Sequence, residues 1–175
     1  DSDGDGIPYR SLPGVHPKGS FFTRGSGHNK YGGYTEEGHE YQEVVDRLKV
    51  KWNTARKMVP KPDIKYSKTS KIGVIAFGSS DGATNEAIIK LRKSGLKVNY
   101  CRIKSFPFNE SIKKFINKHE KIYVIEQNRD AQMRSLLILD LEVNPSKLFS
   151  ILHYDGNPIY ANLIVRELLD NESSA

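Results

Sequence analysis

Four apolar runs, each ending in a turn and each followed by a stretch of helical spacing, organise the second half of the chain. Residues 71–80, KIGVIAFGSS, are unbroken in hydrophobicity until Gly78, as in a strand covered on both faces. In the next segment, ATNEAIIKLRKSG, Ala83, Ala87, Ile88 and Leu91 fall on one helical face and Gly95 provides the stop. KVNYCRIKS predicts a second strand, and NESIKKFINKHE a helix capped by Asn109 with Ile112, Phe115 and Ile116 inward. KIYVIEQ predicts a third strand. RDAQMRSLLILDLE predicts a helix with Met133, Leu136, Leu137 and Leu141 on one side. LFSILHYD predicts a fourth strand, and PIYANLIVRELLDN a closing helix with Pro158 at its start. Strands alternating with helices of this length imply βαβ units. The expected fold class is α/β, a mostly parallel open sheet with helices on both faces, over residues 71–175.

The first half has a different texture. Residues 1–38 are dense in Gly, Pro, Ser and His and show neither a period of two nor one of 3.6, so they read as loop. From about Glu40 to Val59 the pattern is helical, with Val44, Val45, Leu48, Trp52 and Ala55 on one face and Lys and Arg on the other. PKPDIKYSKTS, residues 60–70, reads as a linker. The expected organisation is a loop tail over 1–38, a linker helix and linker over 39–70, and the α/β domain over 71–175.

Composition narrows the function classes. No apolar stretch reaches the length of a membrane span. The chain opens on DSDGDG without a signal peptide, which suggests a processed chain or a fragment. The single cysteine, Cys101, cannot form an internal disulfide or hold an iron–sulfur cluster, and fits a reducing cytoplasm. A net charge of +6 admits nucleic acid as a partner, but the lysines are scattered over helices and linkers. Without a tight basic block the charge is read as a general surface property, and an acidic protein partner would be served equally well.

Several segments could carry chemistry. DSDGDG has the aspartates that open a calcium loop, yet the twelfth position, where a bidentate Glu is needed, is Leu12. His16, His28, His39, His119 and His153 lack zinc-ligand spacing. GSSDG at 78–82 could hold an anion on a helix N-terminus, but it has neither a dinucleotide fingerprint nor a P-loop lysine. The preferred reading is a tight turn with Ser80 or Asp81 capping the helix. Glu126, Gln127 and Asn128 end the third strand, where ligands and partners meet parallel sheets. A carboxylate there can act in catalysis or order a loop. Arg10, framed by Pro8, Pro13 and Gly14, sits on a stiffened loop suited to a two-pronged grip on a carboxylate.

Taken in order, these segments resemble the alpha subunits of 2-oxoacid:ferredoxin oxidoreductases of the 2-oxoglutarate and pyruvate synthase type. DGIPYRSLPG is similar to their DGI-x-PR-x-x-PG stretch. GSGHNKYGGYTEE is similar to G-x-x-HD-x-x-G-x-x-TE, with His28, Gly32 or Gly33, Thr35 and Glu36 matching. GVIAFGSSDGATNEAI resembles a strand–GSTEG–helix unit, and FPF at 106–108 a P-F segment. VIEQNRDAQMRSLL resembles VVEQN-x-x-GQL, and KLFSILHYDGNPI a final strand with its YDGxP turn.

The resemblance covers nearly the whole chain and implies oxidative decarboxylation of a 2-oxoacid to acyl-CoA, with electrons passed to ferredoxin. It implies thiamine diphosphate and an iron–sulfur cluster in an assembled enzyme with a beta subunit, neither bound by this chain alone. It also implies that a pyrimidine-binding domain precedes Asp1, that residues 1–38 are mobile without it, and that 71–175 is like the transketolase C-terminal domain. Arg10 aligns with the family's arginine for the substrate carboxylate. Val15 stands where the family usually has Thr, which would favour less polar 2-oxoacids. Glu126, Gln127, Asn128 and His28 are then interface or loop-ordering residues. Tyr9 and Ala131 depart from the family pattern, the latter replacing a Gly. Two alternatives stand beside this reading: a non-catalytic α/β interaction module, and a small nucleotide-binding protein using GSSDG.

Overall fold

The computed structural model describes residues 1–19, 25, 27–67 and 70–173. They fall into two compact units, Asp1–Met58 and Val59–Ala175. The second unit holds a five-stranded sheet: β1 (Asp63–Lys65), β2 (Ile72–Phe77), β3 (Asn99–Ile103), β4 (Lys121–Glu126) and β5 (Leu148–Leu152). Its helices are α2 (Ser80–Lys93), α3 (Glu110–Lys118), α4 (Gln132–Leu141) and α5 (Ala161–Ser173). The strand order is β1-β3-β2-β4-β5. All pairings are parallel except β1 with β3. The α/β class and the largely parallel sheet follow the hydrophobic pattern.

That pattern is explained by the two covered faces. Along β2, Val74 and Ala76 join one core with Ala87 and Leu91 of α2 and Ile164 and Leu168 of α5. Ile75, between them, joins a second core with Phe115 and Ile116 of α3 and Leu137 and Leu141 of α4. Successive side chains of a strand point to opposite faces, so a strand between two helical layers must be apolar at every position. Gly73 marks the tightest approach: a Cβ there would lie 2.5 Å from Ile122 Cδ1 and 2.9 Å from Phe115 Cε1.

Three expectations are corrected. The linker over 60–70 contains β1, which pairs Asp63, Ile64 and Lys65 with Arg102, Cys101 and Tyr100. Three residues are too few to show a period, and this strand exists because β3 offers an open edge; Pro62 just before it is tolerated at such an edge. Ser80 and Asp81 do not cap α2. The N-cap is Ser79, without a side-chain cap bond. Asp81 instead accepts the hydroxyl of nearly buried Tyr100 at 2.7 Å, because a buried phenol needs a partner. Pro158 does not open α5, which starts at Ala161; residues 158–160 belong to the connection before it. Asn109 does cap α3, accepting from Ser111 N at 3.1 Å.

In the first unit the expected helix is α1 (Gly38–Met58), and none of its residues is buried. The segment around Gly6 lies on it: Arg47 donates to Gly6 O at 2.7 Å and Thr54 Oγ1 to Asp5 O at 2.6 Å. Gly6 has φ +83°, and a Cβ there would meet Lys51 N at 2.1 Å, so only glycine fits. Among the described residues of 1–37 the remaining elements are a short 3-10 turn, Pro17–Gly19, and an isolated bridge of His28 with Tyr34.

At the amino end of β3, buried Asn99 donates from Nδ2 to His119 Nε2 at 2.7 Å, and His119 Nδ1–H donates to Phe115 O at 2.6 Å. These partners assign the neutral tautomer with the proton on Nδ1. Burial holds the His119 pKa below its ordinary 6.5, since a charge there would be stripped of water. The folded value is thus below the unfolded one. Its contribution to stability is complete above the unfolded pKa and is lost as pH falls below about 6.5 toward the folded value. Urea midpoints at pH 7.5 and 5.5 should show a fall on acidification, and His119→Gln, which keeps an acceptor for Asn99, should reduce that fall. An equal fall in both proteins would contradict the account.

Candidate functional site

The carboxyl edge of the parallel strands is built from three consecutive side chains at the end of β4. Glu126 is completely buried. Its Oε2 accepts from Met133 N at 2.7 Å and Asn128 Nδ2 at 2.8 Å, and its Oε1 accepts from Arg134 N at 2.9 Å. The carboxylate therefore satisfies unpaired N–H groups in the first turn of α4 and faces the positive end of that helix. Asn128 closes the same loop, its Oδ1 accepting from Asp130 N at 3.1 Å and Gln132 N at 3.2 Å.

Gln127 reaches the other way. Its Nε2 donates to Ser79 Oγ at 3.0 Å and Ser80 Oγ at 3.1 Å, in the turn between β2 and α2. Its Oε1 accepts from Ile159 N at 3.1 Å, in the connection from β5 to α5. One amide thus joins three βα connections. The Glu126 backbone carbonyl accepts from His153 N at 2.9 Å, tying in the end of β5. The polar atoms of Glu126, Gln127 and Asn128 are thus directed at the protein's own backbone and turns.

The neighbouring turn is similarly occupied. Asp81, in the first turn of α2, accepts from Tyr100 and from Asn85 Nδ2 at 2.9 Å, with Arg102 Nη1 3.5 Å away. The Tyr100 hydroxyl pKa is raised, chiefly by burial and then by its bond to Asp81, so this phenol stays protonated. A carboxylate at that helix end opposes a second anion. Cys101 is buried beside them, its thiol pushed up to about 12 by burial. A neutral, enclosed thiol is a packing residue.

His153 is 6 % exposed, with Nε2 3.1 Å from Asp155 Oδ1 but out of line for a hydrogen bond. Asp155 is held below the usual carboxylate range, first by the Asn157 N–H that it accepts at 2.8 Å. Sequence reasoning passed over the roles of Tyr100, Arg102 and His153. The YDG turn after β5 was a local signal for His153, while Tyr100 and Arg102 had none.

The remaining candidates lie in the first unit. Arg10 and Val15 are both exposed, Val15 at 77 %. Among the described residues no carboxylate pairs with Arg10. His28 is exposed, and its Nδ1 lies 2.9 Å from Asn29 O in the turn bridged to Tyr34. Asp1, Asp3 and Asp5 bring carboxylate oxygens within 4.8 Å of one another. Asp1 accepts from Gly6 N and Asp5 from Ile7 N, so two of the three order their own loop. Leu12, exposed at 53 %, offers no ligand.

Residues 70–160 match the family model described as pyruvate:ferredoxin oxidoreductase core domain II. The chain belongs to this family. Two curated relatives agree. The 2-oxoacid:ferredoxin oxidoreductase subunit alpha of Saccharolobus solfataricus is 28 % identical over 140 residues, 77 % of this chain and 22 % of that protein. The 2-oxoacid:ferredoxin oxidoreductase 2 subunit alpha of Aeropyrum pernix is 24 % identical over 162 residues, 90 % of this chain and 24 % of that one. The chain therefore spans about a quarter of the length of these alpha subunits. A solved 2-oxoglutarate:ferredoxin oxidoreductase from Magnetococcus marinus, with 2-oxoglutarate, coenzyme A and succinyl-CoA bound, matches with a TM-score of 0.80. The match covers 95 % of this chain and 29 % of that one at 21 % identity, and it bears on the fold. Core domain II thus includes β2 through β5 and the whole Glu126–Gln127–Asn128 cluster. No helix among the described residues is long and apolar enough to cross a membrane.

The start of α4 carries a testable cost. Ala131 is its N-cap, with φ 50° in the left-handed region. An L-residue there is disfavoured by about 1–2 kcal/mol, partly offset because glycine loses more entropy on folding. Ala131→Gly should raise unfolding free energy in urea by up to about 1 kcal/mol. A loss of stability would show that the alanine methyl contributes more than its backbone costs.

Proposed function

We propose that this chain is part of the alpha subunit of a 2-oxoacid:ferredoxin oxidoreductase, which decarboxylates a 2-oxoacid oxidatively to an acyl-CoA and passes the electrons to ferredoxin. The observation that carries the reading is the core domain II match over 70–160, together with alpha-subunit relatives whose similarity extends into the first unit. The reaction belongs to an assembled, cytoplasmic complex with a beta subunit. In that complex thiamine diphosphate supplies the electron sink and an iron–sulfur cluster the electron path. The residues of this chain do not fit either group: Asp81 opposes a diphosphate at the α2 N-terminus, and a cluster needs more thiolates than Cys101. Both groups are assigned to the other parts of the enzyme, and no chemical step is assigned to this chain.

Two roles remain for it. The second unit is an assembly domain whose carboxyl edge is held rigid by Glu126 and Gln127. The first unit supplies Arg10, whose planar guanidinium accommodates a 2-oxoacid carboxylate through two parallel hydrogen bonds. Val15, at the place usually held by Thr, removes a hydroxyl and favours substrates with apolar side chains. His28 orders the turn over residues 27–35 beside this loop in sequence. The interaction-module alternative leaves Arg10 dispensable, and the two readings separate there.

The test is CoA-dependent reduction of a viologen dye by the complete alpha subunit, assembled with its beta subunit, over a panel of 2-oxoacids. Arg10→Ala should lower kcat/KM by roughly 10- to 100-fold, as expected for a charge-assisted pair of about 1.5–3 kcal/mol. Val15→Thr should shift preference toward polar 2-oxoacids. Unchanged kinetics in Arg10→Ala would remove the carboxylate assignment, and an inactive but fully assembled complex would remove the enzyme reading.

A further inference from the structure

An open groove of about 180 Å3 lies between α2 and the end of β1. Buried Val98 and Tyr100 form its floor, and Ile88 and Ile89 of α2 one wall, with Ile89 57 % exposed. Tyr66 and Ser67, just after β1, form the other wall. That wall is fixed: Ser67 N donates to Oδ1 of buried Asn99, and Lys118 Nζ lies 4.1 Å from the centre of the Tyr66 ring. Pockets that enclose a whole small ligand measure about 300–1,000 Å3. A groove of this size and openness suits one or two side chains of a partner instead.

The charges in the groove say what occupies it. Lys65 Nζ donates to Asn85 Oδ1 at 2.8 Å and lies 5.9 Å from the centre of the Tyr100 ring. Asn85 is itself oriented, because its Nδ2 donates to Asp81 Oδ1 at 2.9 Å and so leaves Oδ1 to the lysine. The ammonium is therefore positioned before any partner arrives, with N–H groups to spare. Arg92, about two turns beyond Asn85 on the same face of α2, also lines the groove. Both cations are exposed, and among the described residues no ion pair engages either. No carboxylate lines the groove. Those close by are already engaged: Asp81 by Tyr100, Asn85 and Arg102, Asp63 by Lys104, and Glu86 by Lys90. Lys65 and Arg92 stand uncompensated beside apolar walls, where an ion pair is worth more than in open water.

We propose that this groove docks a segment of a partner chain in which an acidic side chain adjoins a large apolar one. The carboxylate is held by the Arg92 guanidinium and the Lys65 ammonium, and the apolar side chain packs on Ile88 and Ile89. The groove lies in the second unit and owes nothing to the substrate role given to Arg10, so either can fail without the other.

The isotope-labelled 175-residue chain would be titrated, with amide NMR signals as the readout, against three probes. These are a capped peptide centred on Leu-Glu-Leu, the same peptide centred on Leu-Gln-Leu, and isovalerate, a small carboxylate with an apolar tail. The glutamate peptide should move the signals of Lys65, Tyr66, Ile89 and Arg92, and bind about tenfold or more tightly than the glutamine peptide at low salt. The difference should shrink as salt shortens the screening length. Arg92→Glu should abolish the preference. Lys65→Met should weaken the glutamate peptide and leave the glutamine peptide unchanged, and Ile89→Asp should weaken both. All three positions are exposed, so circular dichroism should show the variants folded. Equal affinity for the two peptides, signals moving only elsewhere, or no binding would overturn the proposal. Isovalerate binding as tightly as the glutamate peptide would also overturn it, by making the groove a small-molecule site.

Discussion

The second unit depends on one buried carboxylate. Glu126 ends β4 with no solvent to share its charge, and an ion there must be matched by donors or the strand end is unstable. The donors are the first N–H groups of α4 and the amide of Asn128. The need to satisfy Glu126 therefore fixes where α4 begins, and it holds Ala131 in a conformation that alanine disfavours. Gln127 extends the constraint sideways, locking the β2–α2 turn and the approach to α5 to the same strand end. Three connections are thereby joined at one strand end.

This arrangement clarifies the division of labour. Parallel sheets usually present their carboxyl edge to ligands. Here the corresponding turns are cross-braced, and Asp81 and Tyr100 satisfy each other in the first α2 turn. The assembly role proposed above rests on this cross-bracing, and the chain spans about a quarter of its alpha-subunit relatives. Arg10, proposed above for the substrate carboxylate, lies in the first unit, in the proline-framed loop.

Much of the fold was legible because its signals are local. Two-sided burial wrote itself as the unbroken run IGVIAF, and Asn109 announced the start of α3. What escaped depends on partners distant in sequence. β1 is three residues long and exists because β3 has an open edge. Asp81 has a capping residue's identity, yet a buried tyrosine claims its side chain. Pro158 suggested a helix start, but the Gln127 amide holds the following residue outside α5. The EQN segment stood out as a place where something happens, while its role as a brace required the positions of Ser79, Ile159 and Met133. Arg10 was notable for its frame of prolines, and its role awaits the complete enzyme.

The central claim is that Glu126 and Gln127 act by bracing and not by touching ligand. It is tested most directly by Gln127→Ala in the assembled enzyme, comparing Tm with the KM values for 2-oxoacid and coenzyme A at a temperature where the variant is folded. The account predicts a lower Tm, from the loss of hydrogen bonds worth roughly 1 kcal/mol each, with both KM values unchanged. An unchanged Tm with a raised KM would place the carboxyl edge in contact with ligand and contradict it.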